Sequence, residues 1–130
     1  MEDAANKDGI IRDYRDLKVW ILGMELAEQA YKATASFPKE EMYGLTGQMR
    51  RSAASIPANI AEGFGRQQRQ SFIQFLRIAQ GSLKELETHC ELAKRLGYLG
   101  GDASSGMLNK CETLGKMMRA FVASLEKGRK

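Results

Sequence analysis

Apolar residues recur along this chain at alternating intervals of three and four, the spacing of one helical face, with no stretch of the two-residue alternation that marks a half-buried strand. Four segments carry the pattern. The first runs from about Asp16 to Ser36, where Leu17, Trp20, Met24, Ala27, Tyr31 and Thr34 form the seam expected to face a core. Phe37-Pro38 ends it, because the residue before a proline is pushed out of the helical region. The second segment spans roughly Gly44 to Gly65, with Leu45, Met49, Ala53, Ile56, Ile60 and Phe64 inward. Its small residues Gly47, Ala54, Ala58 and Ala61 share an adjoining face, where backbones could approach closely. Pro57 lies inside this segment and removes the bond to the carbonyl of Ala53, which predicts a kink or a break into two pieces.

The third segment is the longest, about Gln70 to Leu96, and Phe72, Leu76, Ala79, Leu83, Leu86, Cys90 and Ala93 keep the alternation throughout. Glycines 97, 100 and 101 suit a helix end followed by a tight turn. A fourth helix begins near Asp102 or Ser104, with Met107, Cys111, Leu114, Met118, Phe121 and Leu125 inward. Four helices of similar length on short connections predict an all-α, antiparallel up-down-up-down four-helix bundle over residues 14–127. Residues 1–13 read as a polar tail and residues 128–130 as a basic one.

The first helix carries more apolar surface than one seam. Val19, Leu22, Leu26, Ala30 and Ala33 form a second stripe beside the first, leaving Lys18, Glu25, Glu28 and Lys32 as a narrow wet face. An apolar stripe left over after a core is built marks an interaction surface, so these five residues are the expected contact with another subunit. The alternative is that helices two and four together cover the full width.

Composition bounds the rest. The chain has 130 residues, long enough for one core without disulfides or metal and too short for two domains. Residues Met1 to Arg15 are polar and no long apolar run exists, so a cytosolic protein without a membrane span is expected. Cys90 and Cys111 fit no metal-knuckle or CxxC spacing and fall on core seams, which predicts reduced, buried thiols. His89 is the only histidine and sits beside the third seam, a boundary residue with no second histidine to help it hold a metal. Glu85, Glu87 and Glu91 lack the Glu-x-x-His pattern of a di-iron bundle, and Gly63-Phe64-Gly65 lacks the lysine and preceding strand of a phosphate loop. No cofactor, no metal and no catalytic residue is expected. Net charge is +4, yet between Gly44 and Lys84 six cations face one acid, Glu62. Those six, Arg50, Arg51, Arg66, Arg69, Arg77 and Lys84, are the candidates for contact with phosphates. A solvated face, with Arg50 or Arg51 paired to Glu62 or to an acid on a neighbouring subunit, explains them equally well.

From Tyr14 to Leu99 the chain resembles the bacterial four-helix-bundle family of 23S ribosomal RNA intervening-sequence proteins. The resemblance rests on Asp16-Leu17-Lys18-Val19-Trp20, on Tyr43-Gly44-Leu45-Thr46, on Ser55-Ile56-Pro57-Ala58-Asn59-Ile60-Ala61-Glu62-Gly63, and on Gly81-Ser82-Leu83 before Ala93-Lys94-Arg95-Leu96-Gly97-Tyr98-Leu99. It implies a protomer that assembles into a ring, a homopentamer, and it singles out Pro57, Asn59, Glu62 and Gly63 as a motif cluster. For that cluster the reading from the residues is architectural: Asn59 and Glu62 satisfy backbone groups around the proline or bond across the bundle. Two functions follow as expectations. One is a non-enzymatic oligomer that binds structured RNA or other nucleic acid through a basic surface; the other is a protein scaffold or adaptor ring that recruits a protein partner.

Overall fold

The computed structural model describes residues 10–128, and these form four long helices and no strand. Helix α1 spans Lys18–Thr34, α2 Leu45–Gly65, α3 Arg69–Arg95 and α4 Gly101–Lys127. The first three lie within two residues of the spans that periodicity predicts, and α4 starts one residue before Asp102. Residues 1–9 of the expected N-terminal tail and 129–130 of the basic tail fall outside the described part. Residues 10–13 already belong to the folded unit. Ile11 packs on the core, and Asp13 caps a short 3-10 turn, Tyr14–Asp16, by accepting the Arg15 N–H at 2.8 Å.

Each helix packs on two others, α1 on α2 and α4, and α3 on α2 and α4. The seams of α3 and α4 are buried as their spacing predicts, with Leu76, Leu86, Met107, Leu114 and Met118 fully enclosed. Burying such side chains supplies about 1.5–3 kcal/mol each relative to exposure, so this common interior carries most of the fold's stability. Phe72 joins the layers, meeting Phe64 of α2 and Phe121 of α4 edge-on with ring centroids 5.8 and 5.4 Å apart. At the other end Glu41 links two turns: its Oε1 accepts the Leu45 N–H at 3.0 Å and its Oε2 the Tyr98 hydroxyl at 3.2 Å.

Two glycines lie at the helix crossings, and one of them sets how closely the helices approach. A Cβ on Gly63 would lie 2.6 Å from Phe75 Cβ and 3.1 Å from Phe72 Cδ1, so only glycine lets α2 meet α3 there. A Cβ on Gly23 would lie 3.7 Å from the ring of Pro57, placing the bare backbone of α1 against the proline. That packing corrects the expected break: α2 continues as one helix through the buried Pro57. The proline forfeits one backbone bond, but its ring is buried against α1 beside Gly23. Asn59 stitches the same turn, its Nδ2 donating to the Ser55 carbonyl at 2.8 Å and to Ser55 Oγ at 2.9 Å.

The two stripes of α1 share the core, contrary to the roles assigned from sequence. Val19, Leu26 and Ala30, expected at a subunit contact, are fully buried inside this chain, and Leu22 and Ala33 pack half-buried against the same core. Of the expected core seam, Leu17, Ala27 and Thr34 are buried, whereas Met24 is 37% and Tyr31 47% exposed and Trp20 is half-buried. Gly23, which belongs to neither stripe, lies on the buried line. The Val19, Gly23, Leu26, Ala30 line faces the interior, with Gly23 against Ile56 and Pro57 of α2.

Candidate functional site

Because the bulky half of α1 points outward while α2 beside it carries only small residues, an open groove of about 600 Å³ runs between the two helices. Trp20, Met24 and Tyr31 form one wall, and Ala54, Pro57, Ala58 and Ala61 the other, with Tyr14 also lining it. The small face of α2 is thus a groove lining instead of a close helix contact. Its aromatic walls are held. The Tyr14 ring meets Trp20 edge-on at 5.2 Å, and the Arg50 guanidinium lies 4.8 Å from the Tyr31 ring centroid. Glu28 and Lys32, both exposed, are the charged residues of the lining. Neither groove wall was identified as such from sequence. The signal available was the set of alanines flanking Pro57 on one face of α2, opposite an aromatic stripe on α1.

The six cations do not converge. Arg50 is half-buried, donating from Nε to Thr34 Oγ1 at 2.8 Å and from its terminal nitrogen to the Tyr31 carbonyl at 3.4 Å, which clamps the start of α2 to the end of α1. Arg66 pairs with Glu62 at 3.0 Å, one helical turn away, and lies 5.0 Å from the centroid of the Phe75 ring. Glu62 therefore engages Arg66, not Arg50 or Arg51. Arg69 donates to the Gly128 carbonyl at 3.4 Å, and Arg77 meets Glu126 at 2.5 Å, both across the α3/α4 seam. Lys84 pairs with Glu87 at 3.1 Å. Arg51 is exposed and makes no hydrogen bond or ion pair among the described residues.

The motif cluster is spread over helix contacts. Gly63 is at the α2/α3 crossing and Pro57 at the α1/α2 crossing, while Asn59 acts through Ser55, whose hydroxyl lies 2.8 Å from that of Ser82 on α3. Burial pushes the Cys90 thiol up to about 11 and the Cys111 thiol up to about 12, the latter helped by Glu87, so neither is a nucleophile at neutral pH. His89 is half-buried, with Nδ1 lacking a hydrogen-bond partner among the described residues. No cluster of metal-ligating side chains occurs among those residues, and no described helix is long and apolar enough to cross a membrane.

Residues 15–120 match the family model described as 23S rRNA-intervening sequence protein. The fold is similar to the crystal structure of a protein with unknown function from the S23 ribosomal protein family of Bacteroides thetaiotaomicron VPI-5482. The TM-score is 0.72 and the identity 27%, over 80% of this chain and 97% of that one. A comparison with curated proteins finds no match. With four helices in place and the match running from the Tyr14–Asp16 turn nearly to the end of α4, the chain belongs to the 23S rRNA-intervening sequence protein family.

Proposed function

We propose that this chain is a non-enzymatic assembly protein of the cytoplasm. Its four helices run up-down-up-down, and its α1/α2 groove is covered by further copies in a closed ring, a homopentamer as the family resemblance implies. The observation that carries this reading is the groove itself, an apolar surface with aromatic walls on a helix pair whose own core is already complete. The side chains capable of chemistry support the absence of catalysis: the cysteines are buried with raised pKa, and Asn59 and Glu62 are engaged within the helices. Sedimentation of the wild type and of Met24→Glu at micromolar concentration tests it. The wild type should run as a multimer and the variant as a monomer, because a carboxylate placed beside Glu28 among the apolar walls would be costly to bury.

A second reading concerns RNA. The ion pairs of Arg66 and Arg77 are solvent-exposed, and such pairs contribute only about 0–1 kcal/mol, so a phosphate can replace the carboxylate at little cost, while Lys84 is exposed beside a half-buried Glu87. Arg51 is exposed and open to the same contact. Repetition around a ring would multiply weak contacts. Binding of structured RNA that is lost steeply between low and physiological salt would support this reading. Indifference to RNA at both salts would leave a scaffold that recruits a protein partner.

A further inference from the structure

We draw no further inference here: the strongest candidate, the open groove between α1 and α2 walled by Trp20, Met24 and Tyr31, carries nothing beyond the assembly reading already given, because nothing in the structure shows what covers it.

Discussion

The outer surfaces of the two helix pairs differ although one interior serves both. Across α3 and α4 ion pairs stand among scattered exposed apolar side chains: Arg77 reaches Glu126 from the other helix, Lys84 reaches Glu87, and Arg119 lines the grooves beside Lys84, while Ile78 and Leu92 are exposed along α3 and Leu96 at its end. Across α1 and α2 the exterior is apolar, with Trp20, Met24 and Tyr31 facing alanines and a proline. On the first surface the exposed apolar side chains are scattered among charged ones and form no groove with aromatic walls. The second gains from being covered, at roughly 25 cal/mol for each Å² of apolar area removed from water. The comparison teaches that the buried seams decide the fold, whereas the composition just outside them decides which side of the molecule is a contact.

Variants can sharpen or break that comparison. The largest effect should come from the interior that both pairs share: Leu86→Ala should lower unfolding stability by about 3 kcal/mol, read by urea titration. Gly63→Ala should cost about 2 kcal/mol by the same titration, since the new methyl group must displace Phe75 and Phe72. The buried thiols should make stability fall with alkali. Unfolded cysteines ionise near 9.0 while Cys90 and Cys111 hold their protons to about 11 and about 12. Their contribution is therefore complete below 9.0 and is lost as pH rises through the folded values, on the order of 1 kcal/mol per thiol by pH 10. Comparing urea midpoints at pH 8 and pH 10 for the wild type and Cys111→Ala reads this, with the smaller drop expected in the variant. The smallest effect belongs to the ionic face, where Arg77→Gln should change stability by at most about 0.5 kcal/mol. A loss as large as that of Gly63→Ala would make the α3/α4 surface part of the scaffold and erase the contrast.

Much of the fold was legible because α3 and α4 each have a single apolar seam, from Phe72 to Ala93 and from Met107 to Leu125, and every residue named on them is buried except Leu125, which is half-buried at the end of α4. Helix α1 was not legible in the same way. Both of its stripes are apolar, so periodicity gives their combined width but not which half faces inward; that is settled by packing on α2 and α4, as where Gly23 meets Pro57, residues 34 positions apart in sequence. Pro57 misled for the same reason, its expected break being offset by a partner on another helix. The Arg77–Glu126 pair spans 49 positions, so reading one helix at a time left Arg77 as a free cation.

The central claim is that the α1/α2 groove is an assembly surface, and sedimentation velocity of the wild type beside Met24→Glu tests it most directly. A multimer that falls to a folded monomer on this one substitution is the predicted result. A wild type that sediments as a monomer at micromolar concentration, or a variant that assembles unchanged, would contradict it.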